Sequence, residues 1–561
     1  MLVLLFCLAA GFRILLSLSR TGPIVVADEI GYLANARVLA GGPPIDLSTA
    51  TYYYSGSSLL IVPAYWLSSD PVTIYQLALV VQALVSAVVL PLLYALCREV
   101  GVSQARSLAA AVAASVCVDS VFWSDYVLTE SLFSCLLILW VWMGVRVVRF
   151  GAVRQGYLSA VCLGVTFGLL GATHPRGLIL VAVGGVVGLA FMRKIGLLPV
   201  LVCAGTAVVA LGVGLWLNVI TMRANYPGRS LSSLIPVNGG SDRPGTGLAD
   251  QAFSTSGQVW YLAVASGLLA LYGVLHAWHL ALTGDKALRT TRLAAAVLVT
   301  GAGAAFTIGS AAVLLVSAPT RSPDYLVYGR YVAALMPVLI AFGVVGMLRT
   351  PDRTIWILRG ATIALAGVLT VLVGIGLNRF DTSTPPRPFP IPGVSTLASW
   401  IPGNISRVHQ VPITLVAMVF FAVCCGVVIR PGRRSRAAVV ALITVSGVAL
   451  SVSAVTSIAQ KSDDFGYRAG AAFDVPLVTR TERIAWDSSM AGGGVPNIVA
   501  RLNFAYFAND ATIEQFDSTR QAPPDSASVI AASPRFKGDA IGLTRAYKVP
   551  GREIVLWTRG R

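Results

Sequence analysis

Two adjacent carboxylates, Asp28 and Glu29, stand in the stretch Ala27-Asp28-Glu29-Ile30-Gly31-Tyr32-Leu33, just past the first hydrophobic segment of a chain that is otherwise almost all apolar. Carboxylates at a membrane surface are costly to bury and well placed to take a proton, so this pair is the first candidate for chemistry. The plainer alternative is a helix cap, because Asp28 opens a run of helical period through Ile30, Leu33, Ala34, Arg37 and Val38. Three other polar groups interrupt the apolar sequence. Asp125 and Glu130 lie in Trp123-Ser124-Asp125-Tyr126-Val127-Leu128-Thr129-Glu130, as a second acid or as acceptor-binding groups. His174 and Arg176 lie in Gly171-Ala172-Thr173-His174-Pro175-Arg176, and Arg330 and Tyr331 close the run Asp324-Tyr325-Leu326-Val327-Tyr328-Gly329, with Arg321 just before it.

Such residues need a scaffold, and the composition dictates which kind. With 56% hydrophobic residues, 12% charged and a mean hydropathy of +0.75 over 561 residues, the chain reads as an all-α polytopic membrane protein. About thirteen segments approach the roughly 20 apolar residues that a bilayer crossing needs. They are 2–20, 73–97, 105–123, 128–148, 156–173, 177–192, 196–221, 258–283, 293–318, 331–348, 355–377, 411–430 and 437–457. The first reads as a retained helix rather than a cleaved leader, since it lacks a basic start and a small-x-small cleavage site.

Arginine and lysine gather in alternate loops at Arg98 and Arg106, at Arg146, Arg149 and Arg154, at Arg193 and Lys194, at Lys286, Arg289 and Arg292, at Arg349 and Arg353, and at Arg430 to Arg436. The positive-inside rule makes that side cytoplasmic and places the N-terminus there. Among the acidic residues before the tail only Glu99, Asp285 and Asp352 fall on it, so the working face is external. The net charge of +17 is spread over these loops in small groups, which is a pattern of topology determinants and not a nucleic-acid footprint.

The eight cysteines all fall in or at the ends of hydrophobic segments, which leaves no disulfide framework outside and suggests no thiolate metal site. His276 and His279 have a ligand-like spacing but no acidic or cysteine partners in sequence. No metal ligands are assigned, and a divalent metal remains possible as a cofactor. After residue 457 the hydropathy falls. Residues 482–488, 512–516, 527–532 and 553–558 read as short strands, and Val495 to Phe507 carries helical spacing at Ile498, Leu502, Ala505 and Tyr506. The organisation is therefore a membrane domain, 1–457, and a small external α/β domain, 458–561. The outer loop 21–72 holds two amphipathic stretches, one after Asp28-Glu29 and one from Gly56 to Trp66, both expected to lie in the membrane interface.

An acidic pair at the outer end of helix one, a long loop of short helices, the Trp123–Phe133 and Gly171–Leu178 segments and an external C-terminal domain together resemble the GT-C glycosyltransferases. The likeness in pattern is to the protein O-mannosyltransferase and lipid A aminoarabinose transferase group, and it covers residues 1 to about 350. The resemblance implies a sugar on a polyprenyl phosphate as donor, Asp28 as the base that activates an acceptor hydroxyl, and Glu29 in support. The acceptor is a glycan, a lipid or a protein, membrane lipid surrounds the site, and nucleic acid is no partner. Chemistry at the anomeric carbon then needs cations and hydrogen-bond donors for the phosphate, and Arg330, Arg176, Arg321, Tyr331 and His174 are the phosphate-binding candidates. The alternatives are a transporter or flippase of envelope precursors and a non-enzymatic envelope assembly protein.

Overall fold

The computed structural model describes the chain apart from residues 49, 231–246, 284, 318–321, 380–385, 402–407, 430–431, 463–474, 491–494, 509–510, 550–553 and 560–561. Apolar stretches of membrane-crossing length satisfy every backbone group within one helix, so the chain is a bundle of helices. In order these are α1 (Leu2–Ser17), α2 (Val26–Leu39), α3 (Val62–Leu67), α4 (Pro71–Ala87), α5 (Val89–Glu99), α6 (Gln104–Ser115), α7 (Val118–Phe122), α8 (Glu130–Phe150), α9 (Arg154–Thr173) and α10 (Arg176–Ala190). Then follow α11 (Met192–Ile195), α12 (Leu197–Asn225), α13 (Leu248–Ala265), α14 (Leu269–Thr283), α15 (Arg289–Ser317), α16 (Met336–Met347), α17 (Arg353–Leu377), α18 (Pro392–Trp400), α19 (Gln410–Val427) and α20 (Arg433–Ser462).

Among the described residues eight helices are long and apolar enough to cross a bilayer, or up to ten if each of two bent pairs counts as one span. The count of thirteen is not reproduced. Segments 105–123 and 258–283 are broken: α6 meets α7 at 59° and α13 meets α14 at 97°. Segments 2–20, 177–192 and 331–348 are helical but shorter, as α1, α10 and α16. Apolar length alone cannot reveal a bend whose freed backbone groups are covered by neighbouring protein. The chain is a multi-pass membrane protein whose helix α8 sits at the centre and whose α12 lies at the edge.

One buried polar network ties the start of the bundle together. Arg13 of α1 is buried, and its guanidinium donates to Ser86 Oγ (3.0 Å), the Ala9 carbonyl (2.9 Å), the Ser115 carbonyl (2.6 Å) and Ser120 Oγ (3.2 Å). That network pins α1 to α4 and to the break between α6 and α7. Gly164 and Gly168 let α9 approach α12 at Thr206 and Ala210, the small-residue packing that membrane helices use.

The C-terminal unit is a five-stranded sheet in the order β2-β1-β3-β5-β4, with β1 Arg483–Asp487, β2 Thr512–Phe516, β3 Val529–Ala532, β4 Leu543–Lys548 and β5 Val555–Arg559. β1 runs parallel to β2 and β3, and β5 is antiparallel to β3 and β4. The helix Val495–Phe507 connects β1 to β2, as a parallel pair requires. It packs on α2, and Tyr506 donates to the Pro71 carbonyl at 2.7 Å while Arg501 pairs with Asp46 at 3.3 Å. The α/β unit is thus seated on the outer loop.

That seating corrects one expectation. From Ile30 to Arg37 α2 is buried on every side, between the bundle and the C-terminal helix, so it is not an interfacial helix. The second stretch exposes apolar side chains at Leu59, Leu60, Trp66 and Leu67.

Candidate active site

The first turn of α2 brings Asp28 and Glu29 out on different sides, and the two carboxylates have different partners. No side chain caps α2 at its N-cap residue Val25. Instead Glu29 reaches back: its Oε2 accepts from the backbone N–H of Ile24 and of Val25, both at 2.8 Å. Its Oε1 accepts from the Tyr75 hydroxyl (2.7 Å) and the Val127 N–H (2.9 Å). Burial pushes the Glu29 carboxyl above its ordinary range, and these four donors pull it back. The capping role offered for Asp28 therefore belongs to Glu29, a fully buried clasp joining the entry of α2 to α4 and to the Trp123–Glu130 segment. Among the described residues its hydrogen bonds go to these four donors and none joins it to Asp28.

Glu29→Gln is expected to expose this role. All four groups facing the carboxylate are donors, so either orientation of an amide turns its NH2 onto two of them. A stability loss on the order of 2 kcal/mol is expected, read as a lower melting temperature, with the specific activity of the folded fraction largely kept.

Asp28 points the other way. Its Oδ1 accepts from the Tyr53 hydroxyl at 3.0 Å, and its Oδ2 meets Arg330 Nη1 at 2.5 Å. Tyr53 is held by Asn35, whose side-chain amide donates to the Tyr53 carbonyl at 2.8 Å, and its ring lies over Gly31, where a Cβ would collide with it. The glycine in Asp28-Glu29-Ile30-Gly31 is what lets that phenol reach the carboxylate. Sequence reading passed over Tyr53; the signal was the run Tyr52-Tyr53-Tyr54 in the outer loop.

Arg330 is the centre of the group. Its Nε donates to Glu130 Oε1 at 2.7 Å while Nη1 holds Asp28, so one planar guanidinium bridges carboxylates from α2 and α8. Its backbone N–H donates to the Pro390 carbonyl at 2.9 Å, and its guanidinium lies 5.7 Å from the Trp123 ring and 5.8 Å from that of Phe389. The preceding Gly329 packs against the Tyr261 ring without room for a Cβ. Burial alone would lower the Arg330 guanidinium, but Glu130 and Asp28 hold it well above its ordinary value.

Arg176 approaches the same carboxylate from α10, with Nη2 3.6 Å from Glu130 Oε1. It also donates to the Tyr331 carbonyl at 2.9 Å and lies 4.5 Å from the centre of the Tyr331 ring. His174 Nδ1 accepts from both the backbone N–H and Nε of Arg176, each at 3.1 Å. Burial, with Arg176 and Arg330 nearby, pushes the imidazole well below its ordinary range. His174 is therefore a neutral acceptor that orients Arg176, and not a cation for phosphate.

The fold thus gathers Asp28, Glu130, Arg176, His174, Arg330 and Tyr331, residues offered separately by sequence, into one cluster with Tyr53. Glu130 holds the two arginines, a different part from acceptor binding. Asp125 is engaged elsewhere, in a buried pair with Arg20 at 2.6 and 3.1 Å, which ties the end of α1 to the Trp123–Asp125 turn. Arg321 lies outside the described residues. Among the described residues no three His, Cys, Asp or Glu side chains group as metal ligands. Two cavities of about 290 and 320 Å³ are apolar and are lined by bundle helices away from this polar cluster.

No protein-family model and no curated protein matches the sequence. Solved structures do match in fold. ArnT from Cupriavidus metallidurans bound to undecaprenyl phosphate superposes with a TM-score of 0.56 at 14% identity, over 99% of this chain and 97% of that one. The same enzyme in its apo state gives 0.51 at 16% identity, over 100% and 98%. The arabinosyltransferase EmbB from Mycobacterium smegmatis gives 0.42 at 15% identity, over 98% of this chain and 45% of that one. In fold, then, the chain is of the GT-C type that its motifs led us to expect.

Proposed function

We propose that this protein is a membrane glycosyltransferase that moves a sugar from a polyprenyl-phosphate donor to an acceptor hydroxyl at the outer face of the membrane. The observation that carries the reading is the bridge from Asp28 through Arg330 to Glu130, a carboxylate and a fork of donors held together on a GT-C scaffold. Its relative in fold, ArnT, is known bound to undecaprenyl phosphate, which supports a lipid phosphate as the donor's carrier here.

In the reaction the acceptor oxygen attacks the anomeric carbon as the carbon–oxygen bond to phosphate breaks. Asp28 takes the hydroxyl proton, and polyprenyl phosphate leaves with the bonding electrons. One carboxylate acting as base gives inversion without a covalent intermediate. The ion pair adds a step: while Nη1 of Arg330 sits on Asp28, that oxygen cannot take a proton. A donor phosphate competes for the same fork, and as Arg330 and Arg176 turn to it the Asp28 carboxylate is released. Glu130 stays as the buried anchor of both arginines. The base is thus unmasked by the donor it serves.

Transfer from radiolabelled polyprenyl-phosphate sugars by the purified protein is the direct test, and failure with mannose, arabinofuranose and glucose donors alike would overturn the reading. The assignment of the working face is tested separately. Cysteine introduced at the exposed Ser526 should label with an impermeant reagent in intact cells, and cysteine at the exposed Arg434 should not. The reverse pattern would put the cluster and the α/β domain on the cytoplasmic side.

A further inference from the structure

At the other end of the bundle a second group of cations has no comparable set of carboxylates. Helix α17 ends at Leu377, near Leu326 and the outer cluster, since Gly376 packs on Leu326. Arg359 lies 18 residues earlier, about 27 Å along the axis at 1.5 Å per residue. It is only 2% exposed, and none of its three guanidinium nitrogens has a hydrogen-bond partner among the described residues. An arginine near a helix end normally snorkels to water. This one does not, because it is enclosed by protein.

Its surroundings deepen the deficit. His276 of α14 is fully buried with neither ring nitrogen bonded, and one nitrogen of Arg349 is likewise buried without a partner. His276 and Tyr272 both pack on Gly346, three residues before Arg349, and each lies within the field of both Arg349 and Arg359. The Tyr272 hydroxyl lies close to Arg359 but makes no hydrogen bond of acceptable geometry. Arg106 and Arg292 also lie within the field of Arg349. Of the acids on this side, Glu99 pairs with Arg146 and Arg149 at 3.0 and 2.7 Å, Asp285 caps Ala287 N–H at 3.0 Å and faces Arg292, and Asp352 caps Ile355 N–H at 2.8 Å and faces His279; none of them is hydrogen-bonded to Arg359.

Arg359 does stack on Trp356, 4.7 Å from the ring centre. A cation–π contact recovers only part of what burying a guanidinium costs, and it satisfies none of the N–H donors. Native proteins rarely leave such donors orphaned. We infer that Arg359, Arg349 and His276 form a binding site for a phosphate-bearing anion at the inner ends of α14, α16 and α17, separate from the outer cluster. The oxygens of a phosphate match a guanidinium fork in geometry, and Trp356, exposed beside Arg359, is of the residue type that meets headgroups. A phospholipid headgroup and free phosphate share this chemistry.

The test uses the full chain in neutral detergent, with the outer cluster intact in parent and variants alike, so that a difference between them reports on the inner site. It is titrated with dioctanoyl phosphatidylglycerol, dioctanoyl phosphatidylcholine and inorganic phosphate while the melting temperature is followed. A saturable rise with phosphatidylglycerol alone identifies a lipid headgroup, and an equal rise with inorganic phosphate identifies the free ion. In either case Arg359→Gln should weaken the apparent affinity tenfold or more. Arg359→Leu, which removes the uncompensated charge, should melt no lower than the parent when no anion is present. If Arg359→Gln does not fold, Arg349→Gln supplies the same affinity comparison. No saturable rise with either anion, an equal rise with phosphatidylcholine, or an affinity unchanged by these substitutions would overturn the site.

Discussion

Asp28→Asn is expected to lower sugar transfer by about a hundredfold or more, the scale of losing general base catalysis. The amide oxygen can still accept from the Tyr53 hydroxyl, as Oδ1 does now at 3.0 Å, but it cannot hold a proton at working pH. Donor binding should not suffer. Asn removes a charge that competes with the donor phosphate for Arg330, so the donor's affinity should stay constant or rise while kcat falls. That split separates a base from a residue that merely holds the site together. A cap role for Asp28 would predict the opposite, with Asn nearly silent; but Glu29, and not Asp28, accepts the N–H of Val25, so there is no cap at Asp28 to lose. An active Asp28→Asn enzyme would remove this residue from the mechanism.

Much of this arrangement was legible in the chain, and the losses have physical causes. The strand Thr512–Phe516 and the helix Val495–Phe507 fall where alternation and helical spacing place them. The strand Leu543–Lys548 escaped because it is an edge strand with mostly exposed residues, Thr544, Arg545 and Ala546 among them, and so carries no apolar alternation. In α2 the helical period was read correctly, but a helix enclosed on all sides has no free apolar face, and period alone does not say what covers the other side. The polar candidates were found by type, since charged residues are conspicuous in an apolar chain. Their roles depended on direction. Neighbours in sequence, Asp28 and Glu29 diverge by the turn of a helix, while Asp28 and Arg330, three hundred residues apart, share a bond. Nor can spacing distinguish a histidine that carries a proton from one that accepts from the arginine two residues on.

Arg330→Lys is the sharpest test of the phosphate side. The native guanidinium uses Nε for Glu130 and Nη1 for Asp28, two directions fixed by one planar group, whereas an ammonium on a flexible stem cannot reproduce that fork. Each charge-assisted hydrogen bond of this kind is worth about 1.5–3 kcal/mol, so losing one to the donor phosphate should weaken donor affinity roughly ten- to a hundredfold. Transfer should fall further, because a displaced cation stabilises the leaving phosphate less as its charge develops. The folded yield should hold, since Lys keeps a positive charge for Glu130, and Arg176 remains 3.6 Å from that carboxylate. Were Arg330 only an interfacial anchor, Lys would serve as well as Arg, and both donor affinity and transfer would match the parent. The two substitutions therefore produce opposite kinetic signatures across a single ion pair. Removing the charge at Asp28 spares donor binding and loses the chemical step, while removing the fork at Arg330 loses donor binding first. Finding both losses in both variants would mean that the pair is a structural latch, and that base and phosphate site lie elsewhere.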